Sequence, residues 1–298
     1  MPPRITATLL CGLLLLATAC NRGAQDNTPA ASTEPASAVL HLAERLHQND
    51  LAGFARDAVP PEQYAQLDAA WRDGRSRWPL TELPLDEQLV PLLTVLTSPD
   101  AEQTLQQAYE RQFAHQHRDL KAAARSLGLF GVQYISHEGQ YSDEERAHYV
   151  QVVRALSEWA EQAPLGNPAQ AHEAIVTLAA AAQKASIQDE AALRGIGMEE
   201  GLTRLSPFFA AFKEVAARYG LALDDSLAGL RIGKVEQRGD QASVHIHYPL
   251  AGKDIEAVIQ LKRRGGHWFP ASYLAHADAL PPPAAGNVDE VAGPVAGP

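Results

Sequence analysis

Near Leu230 the apolar residues change their spacing, and the change divides the chain into two kinds of structure. Downstream, Ala242, Val244, Ile246 and Tyr248 alternate with Ser243, His245 and His247. Ile255, Ala257, Ile259 and Leu261 likewise alternate with Glu256, Gln260 and Lys262. A period of two sends successive side chains to opposite faces of a strand. Gly239-Asp240 and Ala251-Gly252 supply turns, and Arg264-Gly265-Gly266 precedes a last strand around Trp268. Residues 229–280 therefore read as an antiparallel meander, one face against the rest of the protein and one toward water. Upstream, residues 38–228 carry apolar residues at helical spacing. The expected fold class is α+β, a mainly helical domain with a small C-terminal antiparallel sheet.

The helical part is punctuated by capping signals. Val39, Leu42, Ala43 and Leu46 form one stripe, broken at Asn49-Asp50, and Leu51, Phe54, Ala55 and Ala58 form the next. Pro61 suits the first turn of a third helix with Tyr64, Leu67 and Trp71 on one face. Residues 73–84 read as a loop, and 86–96 as a helix disturbed at Pro91. Ser98-Pro99-Asp100 is expected to open a helix running to about Ser126, with Leu105, Tyr109, Phe113 and Leu120 buried. Gly128 to Ile135 suits a buried strand or a buried helical turn equally. Ser142-Asp143-Glu144-Glu145 spells a capping box, with Tyr149, Val152, Val153, Leu156 and Trp159 facing inward. Asn167-Pro168 caps another helix. Ser206-Pro207 is expected to open the last long one, on the stripe Phe208, Phe212, Val215 and Tyr219.

The N-terminus carries an address. Arg4, an apolar run from Leu9 to Leu16, and small residues Ala17-Thr18-Ala19 before Cys20 have the architecture of a secretory signal, 1–19, too short to span a bilayer. The junction resembles the lipobox of bacterial lipoproteins. That resemblance implies that Cys20 is lipidated with diacylglycerol and palmitate and becomes the first mature residue. Asn21 after it points to the periplasm-facing outer membrane, since Asp there would retain such a protein at the inner one. Ala17-Thr18-Ala19 also fits ordinary signal peptidase, which would release a soluble chain. Residues 20–37, rich in Ala, Thr, Ser, Pro and Asn, read as a flexible tether, and 281–298 as a disordered tail. After cleavage only Cys20 remains, so an internal disulfide is excluded. The formal net charge of −11 argues against nucleic acid and suits a basic partner.

Two stretches resemble NTF2-like lipoprotein domains: Asn49-Asp50-Leu51 followed by Pro60-Pro61, and Arg238-Gly239-Asp240-Gln241-Ala242-Ser243-Val244 followed by Arg264-Gly265-Gly266-His267-Trp268. This resemblance implies a curved sheet around a helix, with a conical pocket.

Candidate sites are few. His245 and His247 share a strand face that His267 could join from a neighbouring strand, but three or four ligands at definite spacing are wanted for zinc, and a solvated face explains them. His115 and His117 diverge on a helix, and His115 with Asp119 makes an ordinary surface pair. Arg238-Gly239-Asp240 is the expected content of a hairpin turn. No nucleophile-elbow, zinc-helix or phosphate-loop pattern is present, so no catalytic residue, metal or cofactor is assigned. Trp71, Arg75, Arg77 and Trp78 crowd one loop of an otherwise acidic chain. They are the partner-binding candidates, the alternative being tryptophans in the core and solvated arginines. The expected function is that of a non-catalytic, membrane-anchored periplasmic lipoprotein binding a protein partner. One form is an immunity protein that neutralises a periplasm-acting toxin. The alternatives are a pocket-containing small-molecule binder or enzyme of NTF2-like type, and an envelope assembly factor.

Overall fold

A computed structural model describes residues 32–83, 86–138 and 141–280. The signal segment, Cys20, most of the tether and the 281–298 tail lie outside the described residues. The architecture is α+β. Helices α1 (Pro35–His47), α2 (Leu51–Asp57), α3 (Pro61–Arg72), α4 (Asp86–Thr97), α5 (Ala101–Gln112), α6 (His117–His137), α7 (Asp143–Gln162), α8 (Pro168–Ala185), α9 (Glu190–Ile196), α10 (Met198–Arg218) and α11 (Leu223–Ala228) precede the sheet. The sheet is an antiparallel meander, β1 (Arg231–Arg238), β2 (Gln241–Leu250), β3 (Lys253–Arg264) and β4 (His267–Pro270), in sequential order. Helix α12 (Ala271–Ala279) follows, inside the stretch expected to be all meander.

Local chemistry accounts for many boundaries. Asp50 caps α2 by accepting the Gly53 N–H at 2.8 Å, and Asn167 caps α8 by accepting from Ala169 and Gln170. The Ser142–Glu145 capping box is complete in both directions. Gly239, at φ 62°, turns β1 into β2, and Arg263 pairs with Asp240 beside it.

Other boundaries differ from the sequence expectation. The packed fold starts before residue 38, because Trp268 holds the chain there: its backbone N–H donates to Ser32 O and its indole N–H to Thr33 O, both at 3.1 Å. Pro35 then occupies the first turn of α1. The helix expected to run from 98 to 126 is two helices. His115 adopts φ 63° and donates its backbone N–H to Gly166 O, turning the chain between α5 and α6 and leaving Phe113 largely exposed. Asp100, not Ser98, precedes α5 and gives no side-chain cap. Residues 128–135 are helical, within α6. Ser206-Pro207 lies inside α10, not at its start.

Three apolar clusters hold the fold together. The largest joins α2, α3, α4, α8, α9, α10 and α12 around Phe54, Leu67, Trp71, Leu93, Leu202 and Ala277. The sheet's apolar face packs on Ala38 and Val39 of α1 through Val244, Ile246, Leu261 and Trp268. Further along the same face, Leu250 and Ile255 meet Ala155 of α7 and Ala216 of α10. Apolar side chains of α1, α7 and α10 pack on the sheet face where a conical pocket was implied. Lys213 is buried on α10, its ammonium bonded to Leu46 O and His47 O at the end of α1 and to Asp224, while its neighbour Phe212 turns outward. The cationic head serves carbonyls at the end of α1, where Leu46 O also accepts the Asn49 N–H at 3.1 Å.

Helices α6 and α7 form a hairpin. They cross closely because Gly128 has no side chain: a Cβ there would stand 2.0 Å from Ser157 Oγ. Ser157 Oγ instead donates to Ala124 O at 3.0 Å. Among the described elements, α7 is the only one with which α6 makes substantial contact, whereas α7 also rests on the sheet.

Candidate functional site

The loop after α3 does not present its tryptophans. Trp71 is 2% exposed and donates its indole N–H to Leu193 O at 3.1 Å. Trp78 is 1% exposed and meets Tyr273 edge-on at 5.6 Å. Both belong to the main core, which corrects the reading of them as surface anchors for a partner. The loop folds inward because Trp71 closes the last turn of α3, and Ser76 accepts the Trp78 N–H and approaches His276. Arg75 pairs with Asp73, and Arg77 bridges Asp86 and Glu190. Arg77 thereby ties the loop to α4 and α9.

Ser76, His276 and Glu82 come together in a way sequence reading missed. Ser76 Oγ is 3.1 Å from His276 Nε2, and His276 Nδ1 is 3.9 Å from Glu82 Oε1. The order of groups imitates a nucleophilic triad whose ring and carboxylate are not hydrogen-bonded. The carboxylate is beyond hydrogen-bond distance. Burial raises the Glu82 carboxyl and lowers the His276 imidazole. Ser76 is 8% exposed beneath the loop. The contact is a tie between loop and α12.

His148 Nε2 and the Tyr248 hydroxyl lie 2.7 Å apart where α7 crosses the sheet. Burial holds His148 below the usual imidazole range and pushes Tyr248 up to about 12. At neutral pH the phenol therefore donates to a neutral ring. His245 and His247 stay on the partly open face of β2, His247 near Asp254 and Glu256. Among the described residues no three metal-binding side chains converge.

Two surfaces stand out. An open groove of about 800 Å³ lies where the α4–α5 corner and α5 face α8. Asp100, Glu102 and Glu110 line it with Gln103, Gln106, Gln107, Gln183 and His172, and no lysine or arginine lines it. Gln106 Nε2 donates to Glu110 Oε1 at 3.1 Å, which leaves its buried Oε1 without a partner among the described residues. Such a lining offers negative potential and amide hydrogen bonds to a cationic group.

No family model, curated protein or solved structure matches the chain.

The second surface is the outward side of α6. Leu127, Leu129, Phe130 and Tyr134 are 69%, 69%, 68% and 49% exposed. Sequence periodicity flagged this stretch as apolar but assigned it to the interior. The overlooked signal is that residues 126–137 contain no Asp, Glu, Lys or Arg and have apolar groups on every side, more than one neighbouring helix covers.

Proposed function

We propose that this chain is a lipid-anchored, periplasm-facing lipoprotein that binds a basic protein partner and performs no chemistry on it. The groove between α5 and α8 is the docking site. The observation that carries this reading is the groove's lining, three carboxylates and four carboxamides without a lysine or arginine. An acidic chain tethered by Cys20 would hold such a groove at the membrane, where a basic cell-wall hydrolase delivered by a rival cell acts. Neutralising that hydrolase is the immunity role this arrangement suits.

Two measurements test the reading. Radiolabelled palmitate should label the wild type and not Cys20→Ser, and a wild-type protein left soluble in periplasmic extracts would remove the anchor. A partner co-purified with the anchored protein should bind Asp100→Asn/Glu102→Gln/Glu110→Gln about tenfold more weakly, and binding should weaken with salt. Unchanged affinity in that triple variant would remove the groove.

A further inference from the structure

We infer that the outward face of α6 docks on a lipid bilayer, so that the folded part lies against the membrane surface. This rests on the proposed tether for its location, but it concerns a different surface from the groove.

The first reason is the width of the apolar face. At 3.6 residues per turn, Leu127, Tyr134 and Phe130 share about 60° of the α6 surface, and Leu129 stands about 100° further round with Ser126 and Gln133 between. A flat, deformable apolar phase covers the whole fan. The face is also a convex ridge, whereas the anchors of protein interfaces cluster in well-packed pockets.

The second reason is placement. The fan points away from α7, because Gly128 and Gly131 on the other side of α6 face Ser157 and Val153 of that helix. Nothing else among the described elements shields it. Arg118 and Arg125 border the fan on the Leu129 side, where their heads can reach lipid phosphates while their stems stay on apolar surface. Arg125 also meets Glu161 at 2.9 Å. Phe130 and Tyr134 are residue types that settle at the membrane–water boundary.

The third reason is reach. The stretch from Cys20 to Ser32 spans at most about 40 Å when fully extended. A chain anchored at Cys20 therefore holds Ser32, where the folded part begins beside Trp268, within that reach of the bilayer. With a net charge of −11 the protein gains no general attraction to anionic lipid. Docking is carried by apolar insertion and depends weakly on salt.

The test uses the chain from Asn21 to Pro298, which keeps every described residue and carries no acyl group. Mixed with vesicles of phosphatidylethanolamine and phosphatidylglycerol, the wild type should float with the lipid. Leu127→Glu/Phe130→Glu should float about tenfold less, with the far-ultraviolet circular dichroism and thermal midpoint unchanged, since both side chains are exposed. A Phe130→Trp variant should shift its emission to the blue on vesicles and be quenched by brominated lipid. Absence of flotation, equal flotation of the glutamate variant, or an unquenched signal from the Phe130→Trp variant would overturn the inference. A dimer in light scattering that the glutamate variant abolishes would assign the face to a second copy instead. Because this chain is acyl-free, its result is independent of palmitate labelling and of the groove variants.

Discussion

Gln151 on α7 hydrogen-bonds both backbone groups of Glu256 on β3 through one side-chain amide. Its Oε1 accepts the Glu256 N–H at 3.1 Å, and its Nε2 donates to the Glu256 carbonyl at 3.3 Å. Strand β4 pairs only with residues 261–264 of β3, so the edge beyond it has no neighbouring strand. Gln151 supplies there what a strand would supply, and Glu144 adds a contact to Gln260 at 2.9 Å. An open edge is a template for pairing with other chains. Gln151→Ala should cost about 1–2 kcal/mol in denaturant unfolding and raise the tendency to associate. An unchanged midpoint would show that water replaces the amide without loss.

Gly128→Ala sets two effects of opposite sign against each other. Alanine in a helix is favoured over glycine by about 1 kcal/mol. The added Cβ would also meet Ser157 Cβ at 2.4 Å, which forces the helices apart. Overpacking of this kind costs about 1–3 kcal/mol, so the variant should be less stable. Ser157→Gly in the same chain should recover part of the loss. A stabilised single variant would show that the hairpin has slack.

Trp78→Ala should cost about 3–5 kcal/mol of stability, because it empties a core position against Tyr273. Arg75→Ala should cost less than about 1 kcal/mol, its pair with Asp73 being at the surface. Chemical denaturation of the two variants gives the comparison. A small loss for Trp78→Ala would return that side chain to the surface.

Lys213→Met keeps much of the buried stem and removes the ammonium. The carbonyl of His47 would lose its donor and that of Leu46 would keep only the Asn49 N–H, at about 1–3 kcal/mol in total. Amide exchange should accelerate at the end of α1 and spare α8. Uniform exchange across the two would argue that the ammonium does not hold α1.

Acid should weaken the α7–sheet junction. His148 sits below its ordinary value in the folded chain, so the folded state resists a proton that the unfolded chain accepts. Its stabilising contribution is complete above about pH 6.5 and falls as pH drops below that value. His276 has the same sign, while Glu82, raised by burial, gains stability as pH falls. The readout is therefore the difference between wild type and His148→Gln. The variant's thermal midpoint should fall less between pH 7 and about pH 5. Identical slopes would mean that His148 is solvated in the folded chain.

The amino-acid order alone determined what depends on neighbours in the chain. The alternation at 242–248 and 255–261 specified strands and their buried face, since a period of two leaves no other choice. Ser142 and Glu145 specified the start of α7, and Gly239-Asp240 specified a hairpin, through contacts spanning three residues or fewer. Which apolar side chain is covered depends on partners far away in sequence, and there only the tertiary structure decided. Trp78 is buried because α12, some two hundred residues later, closes over it with Tyr273. Residues 128–135 lie within α6, where Gly128 and Gly131 let Ser157 and Val153 of α7 approach. Lys213 is inside and Phe212 outside because the end of α1 needs a donor at that point. The outward face of α6 carries Leu127, Leu129, Phe130 and Tyr134, residue types that a core helix also presents. Only the absence of a second neighbour beside it, among the described elements, distinguishes a surface that seeks an apolar phase from one that has already found it.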